Sequence, residues 1–266
     1  MKERNTHMST TPRRQFLSDG LTLASVGAAA TLATAGVANA SPSASAGSNA
    51  PARGPRGNRI DHRTFKLDNT AVVLVDHQVG TIGWAGELAT EQERNDLKMW
   101  VRLLARFSKS ANLPIVLTTS LENEAQGPLL PEFETILPKE YAARIKRTGV
   151  INAWDDPAFA NAVRATGKRK IIMAGLTTDV CLVPPALSAR DEGFEVVALL
   201  DISAACTKIA AENCRDLLKG AGIPIMTTLP MITSMLGNYK NKASGGLFEA
   251  MEKEGIYGAF ARGNLR

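Results

Sequence analysis

The chain has 266 residues, of which 44% are hydrophobic and 5% aromatic, and its formal net charge is +5 at neutral pH. With three Trp, three Tyr and no basic run interleaved with aromatics, nucleic acid is not an expected partner. Three cysteines are too few and too odd in number for a disulfide framework, so a free thiol remains under any internal pairing.

Thr11-Pro12-Arg13-Arg14-Gln15-Phe16-Leu17 precedes an uncharged run from Gly20 to Val37, and Ala38-Asn39-Ala40 closes it in an A-x-A pattern. Charged, apolar and small-residue regions in that order predict an export signal over residues 1–40, and the paired arginines resemble the twin-arginine type. The run is rich in Ala, Gly and Thr, too weakly hydrophobic for a spanning helix of about 20 apolar residues. Cleavage before Ser41 is therefore expected, with no stable membrane insertion afterwards and a periplasmic or extracellular location. Residues 41–66 are dense in Ser, Ala, Pro, Gly and Arg without apolar periodicity, and read as a flexible linker or arm. Losing residues 1–40 lowers the formal charge to +3.

Residues 67–266 suit one domain with a full core. Thr70 to Asp76 is a short apolar run, as expected of a strand buried on both faces. Glu91 to Lys109 places Leu97, Val101, Leu104 and Phe107 at helical spacing. Further strands are predicted at Pro114–Ser120, Lys170–Gly175, Glu195–Leu200 and Ile223–Thr227, and further helices at Pro157–Thr166, Pro184–Glu192 and Ile209–Ala221. Strands alternating with helices predict an α/β fold with a mostly parallel sheet covered on both faces.

In such sheets, sites form outside the carboxyl ends of the strands. Asp76, Thr118 to Ser120 and the turn to Cys181 all fall there. Cys181 opens a helix whose positive end favours thiolate, with Thr178 or Asp179 as N-cap and Pro184 and Pro185 in the first turn. A small buried cysteine is the alternative reading. Asp76 ends a buried strand and either caps the next turn or acts as a base toward Cys181. Lys146 and Arg147 are the candidate cations. Only one can enter the site, because successive strand residues face opposite sides. Trp84, Leu130, Phe133, Trp154 and Pro184 are candidates for an apolar substrate pocket or for core packing. Cys206 and Cys214 read as buried and unpaired. His77 is the single histidine of the domain, so no metal site and no cofactor are expected.

The motifs V-L-V-D-H-Q (Val73–Gln78), G-P-L-L-P-E (Gly127–Glu132), I-N-A-W-D-D (Ile151–Asp156) and A-G-L-T-T-D-V-C (Ala174–Cys181) resemble the isochorismatase-like cysteine hydrolases, and within them the YcaC-like subgroup. This resemblance spans about Leu67 to Leu236. It implies a Rossmann-like three-layer α/β/α fold and a triad of aspartate, lysine and cysteine. Asp76 and Cys181 match two members; position favours Arg147 for the third, whereas residue type favours Lys146. It also implies a cis peptide at Leu176-Thr177, an oxyanion hole from the Thr177 and Cys181 amides, and homo-oligomers. The implied reaction is cysteine-dependent hydrolysis of an amide or other C–N bond in a small molecule. A vinyl-ether hydrolase and a non-catalytic oligomeric binding protein on the same fold are the alternatives. The apolar segment Ile223–Leu236 is a candidate assembly surface.

Overall fold

The computed structural model describes residues 60–261 and Gly263. The expected export signal, residues 1–40, and the linker as far as residue 59 lie outside the described residues. The segment just before residue 67 is ordered against the domain. Asp61 caps a short 3-10 turn, His62–Thr64, and Phe65 is fully buried with the Lys170 ammonium 5.2 Å from its ring centroid. A large aromatic side chain removed from water anchors this end of the arm to the core.

In chain order the described residues form β1 (Thr70–Val75), α1 (Thr81–Trp84), α2 (Glu91–Ser110), β2 (Ile115–Ser120), α3 (Glu132–Ile136), α4 (Pro138–Ala142), β3 (Ile145–Arg147), α5 (Pro157–Ala165), β4 (Lys170–Gly175), α6 (Val183–Asp191), β5 (Glu195–Leu199), α7 (Lys208–Gly220), β6 (Ile225–Met226), α8 (Thr228–Leu236), α9 (Ser244–Lys253) and α10 (Ile256–Ala261). The strands make one parallel sheet in the order β3-β2-β1-β4-β5-β6. This is the expected α/β class.

Side chains alternate across the sheet as strand geometry requires. Val72, Leu74, Ile172 and Ala174 join one core with Leu97, Val101 and Leu104 of α2 and Met231 and Ile232 of α8. Ala71, Val73, Val75, Ile171 and Met173 join a second with Phe159 of α5, Ala186 of α6 and Leu218 of α7. Two cores on opposite faces of one sheet make the three layers. α2 starts sharply because Thr90 and Glu93 form a reciprocal capping box.

β3 was absent from the five predicted strands. It has three residues and pairs only with Thr118–Ser120 of β2, too short for any apolar pattern to reveal. The segment Ile223–Leu236 is not spare surface: Ile223, Met231, Ile232, Met235 and Leu236 are buried. It forms β6 and α8 and is consumed by the core. At the C-terminal side, Glu254 accepts from Arg102 Nε at 2.7 Å and Arg106 Nε at 2.8 Å, tying the end of α9 to α2. No helix among the described residues is long and apolar enough to cross a membrane.

The strand order fixes where a site can lie. From β1 the chain steps outward to β2 and β3, then returns to β4 on β1's other side, so the order reverses between β1 and β4. At such a reversal the loops leave in opposite directions and open a crevice at the carboxyl ends.

Candidate active site

Asp76 stands one residue beyond β1, with its N–H donated to Thr118 O at 3.1 Å. Its φ of +57° lies in the left-handed region, which costs a non-glycine residue roughly 1–2 kcal/mol. Local hydrogen bonds offset that cost: Thr81 Oγ1 donates to Asp76 O at 2.6 Å, and the Gln78 N–H donates to the same carbonyl at 2.7 Å. The turn is thus closed by Thr81, not by the Asp76 carboxylate, and the capping reading of Asp76 falls. Gln78 holds β1 to β2 on the far side. Its amide donates to Ser120 O at 2.9 Å and accepts from Ser120 N at 2.9 Å.

The cation is decided by strand alternation. Lys146 is 59% exposed and pairs with Glu122 Oε1 at 3.3 Å, outside the site, so its candidacy is corrected. Arg147 points the other way and is buried. β3 and β1 are two strand spacings apart, about 9.6 Å, a gap that an extended arginine crosses by passing over β2. There Nε donates to Thr118 Oγ1 at 3.1 Å, Nη2 donates to Asp76 Oδ2, and Nη1 donates to the carbonyls of Val150 and Ile151.

Cys181 arrives from the other side of the crevice. β4 ends at Gly175, the Leu176–Thr177 peptide bond is cis, and a π-helical turn, Thr178–Leu182, leads into α6. Neither Thr178 nor Asp179 caps this helix; Thr177 occupies the cap position without a side-chain bond, and Asp179 Oδ1 accepts from Cys206 N at 3.2 Å. Pro184 and Pro185 do lie in the first turn of α6. Gly175 is required by close packing, since a Cβ there would stand 2.8 Å from the carbonyl carbon and oxygen of Cys181. The Cys181 N–H, expected as an oxyanion donor, is instead donated to Thr177 O at 2.7 Å.

Charge and burial set the resting state. Asp76 Oδ2 is taken by Arg147, whereas Oδ1 is buried without a hydrogen-bond partner in normal range, and the Cys181 thiol is among the groups that act on this carboxyl. Burial pushes the Asp76 carboxyl above its ordinary value, opposed by the charge and hydrogen bond of Arg147 and by the thiol. Burial, then the charge and hydrogen bond of Asp76, raise the Cys181 thiol well above the ordinary value, against weaker opposition from Arg147 and the Thr177 N–H. Burial and the Asp76 charge thus act against the thiolate that the helix end favours, and the adjacent carboxylate is the group placed to take the thiol proton.

The remaining candidates divide. Trp84 is 49% exposed, at the end of α1. Phe133 is buried edge-on to His77, centroids 6.2 Å apart, and Trp154 is buried between Phe159 and Phe194 with Nε1 donating to Glu192 at 2.8 Å. Both have their faces spent on packing. All three cysteines are free; Cys214 is buried, but Cys206 is half-buried, with Sγ 3.5 Å from Thr177 Oγ1. Sequence reasoning placed Thr118 at the site's edge without naming its partner, and gave no role to Gln78 or Thr81, although polar residues closing an apolar strand were the available signal. His77 is fully buried, and Nε2 lies 2.8 Å from Ile202 O, so that nitrogen carries the hydrogen.

Comparison with known proteins agrees with this geometry. A family model described as Isochorismatase domain matches residues 70–228. The chain belongs to the isochorismatase family of hydrolases. Its similarity is to YcaC-like members: the probable hydrolase YcaC of Escherichia coli is 38% identical over 67% of this chain and 83% of its own. The structure of YcaC from Pseudomonas aeruginosa, described with hexane-2,5-diol and covalent acrylamide, superposes with a TM-score of 0.67 at 31% identity, covering 75% of this chain and 96% of its own. The structure of the E. coli protein, described as an octameric hydrolase of unknown specificity, gives 0.64 at 35% identity, covering 70% and 88%.

Proposed function

We propose that this protein hydrolyses a C–N bond of a small molecule through a covalent Cys181 intermediate. The observation that carries the reading is the position of Asp76: its Oδ2 is held by Arg147, its Oδ1 is buried without a hydrogen-bond partner, and its carboxyl lies close enough to Cys181 to raise the thiol. Asp76 takes the thiol proton, sulfur attacks the carbonyl carbon, and the C=O electron pair moves onto oxygen beside the Thr177 N–H. As the carbonyl re-forms, the C–N bond breaks and Asp76 gives its proton to the departing amine. Water then attacks the thioester, Asp76 takes a water proton, and the C–S bond breaks with return of that proton to sulfur. The net reaction is amide plus water to acid plus amine. Arg147 acts electrostatically throughout, because a guanidinium does not release its proton. The acrylamide adduct described for the P. aeruginosa relative supports a site in this subgroup that admits a small amide.

The test is a panel of small amides and ureides with detection of ammonia and acid, run with Cys181→Ser alongside. Loss of nearly all turnover in the variant is expected, and normal turnover would sink the reading. Two further features belong to the proposal. Export by the twin-arginine route should fail when Arg13 and Arg14 are both replaced by lysine; unchanged export would reject it. Homo-oligomerisation is supported by the octameric E. coli relative and by exposed apolar side chains on the carboxyl-end loops, Trp84 and Ile151 among them. Light scattering that returned a monomer would reject assembly.

A further inference from the structure

We infer that the site takes substrates that are uncharged around the scissile bond, simple carboxamides or ureides, and rejects those carrying a carboxylate next to it. The inference rests on the proposed role of Asp76 and Cys181 and narrows the substrate class of that site. Recognition of a carboxylate in a dry pocket needs a cation or a fork of free donors. Arg147 is the cation in contact with Asp76, and its three nitrogens are already engaged: Nε with Thr118 Oγ1, Nη1 with the carbonyls of Val150 and Ile151, and Nη2 with Asp76. Its side chain has no exposed surface left to offer.

The cations next to Arg147 along the chain are also paired: Arg144 and Lys146 both bind Glu122. The negative charge acting on Cys181 is the Asp76 carboxylate, whose Oδ1 is buried and without a partner in normal hydrogen-bond range. That charge repels a second carboxylate brought to the sulfur, whereas a neutral amide gives it nothing to oppose. A substrate anion would meet Asp76 with no free countercharge, so a dicarboxylate such as isochorismate does not fit the arrangement.

Matched alkylating reagents test the point without knowledge of the natural substrate. Iodoacetamide and iodoacetate both form a bond from Cys181 sulfur to carbon as iodide leaves and the thiol proton passes to base; they differ in charge. Rates at Cys181 are read by mass after digestion, which separates it from Cys206 and Cys214, and are divided by the rates for free cysteine in the same buffer. The normalised preference for iodoacetamide is expected to be at least about tenfold, corresponding to 1.4 kcal/mol. It should fall in Asp76→Asn, where the carboxylate is gone and the guanidinium is released. A smaller preference in the native chain, an unchanged one in Asp76→Asn, or no reaction with either reagent while unfolded protein takes up both would overturn the inference. Failure of the catalytic reading is separately visible as normal turnover in Cys181→Ser, which does not depend on this ratio.

Discussion

Arg147 of β3 reaches across β2 to pair with Asp76 at the end of β1, and their side chains are 0% and 1% exposed. Two opposite charges taken this far out of water depend on each other. Removing one partner of such a pair costs roughly 3–5 kcal/mol, because the other is left buried and uncompensated.

Arg147→Ala is therefore expected to lose activity and about 3–5 kcal/mol of stability. Arg147→Lys keeps the charge but gives up the simultaneous bonds to Thr118 and the Val150 and Ile151 carbonyls, and should fall between the two. Lys146→Ala, on the exposed face, should change stability by less than about 0.5 kcal/mol and leave turnover intact. Urea denaturation and turnover, measured on all three, check the assignment; equal losses at both positions would contradict it.

Much of this arrangement was legible before the fold was known. The apolar runs ending at Asp76, Ser120 and Gly175 announced buried strands, and the carboxyl-end rule brought Asp76 and Cys181 together. The choice between Lys146 and Arg147 was not decidable there, because β3 has three residues and no apolar pattern to mark its faces. Thr118 Oγ1 as the rest for Arg147 Nε depends on register between β2 and β3, which no local pattern encodes. The engaged Cys181 amide follows from a π-helical turn, whose wider hydrogen-bond spacing leaves no residue signature. Trp154 and Phe133 were open between pocket and core, and the core took both.

Gly175 supports the nucleophile from below. Adding a methyl group in Gly175→Ala would set it 2.8 Å from Cys181 backbone atoms, which cannot swing aside as a flexible side chain could. A cost of about 1–3 kcal/mol from overpacking is expected, with kcat reduced more than KM as the sulfur shifts from Asp76. Normal kcat in this variant would show that the turn tolerates displacement.

The pH dependence of turnover follows from Asp76. A base must be ionised, and burial holds this carboxyl above its ordinary 3.8, so activity is full above the raised value and lost as pH falls through it. The acid limb of kcat/KM should accordingly lie above the range of an exposed aspartate. An acid limb at or below the ordinary value would remove Asp76 as the base.

His77 gives a separate dependence, of stability. Burial lowers its pKa from 6.5 to about 4, so the unfolded chain binds the proton more readily. Its contribution is fully present above about pH 6.5 and is lost as pH falls through about 4, reaching about 3 kcal/mol. His77→Gln should flatten that part of the stability profile relative to the native chain. An identical slope between the two would show that another group governs acid unfolding.

The covalent step is tested most directly by mass. Native enzyme turning over an amide is quenched in acid and examined intact, then by peptide. An acyl adduct on Cys181, equal in mass to the substrate less its amine, is the expected result, and it should be missing in Asp76→Asn. Active enzyme that never carries this adduct, together with Cys181→Ser that turns over normally, would contradict nucleophilic catalysis and leave direct attack by water.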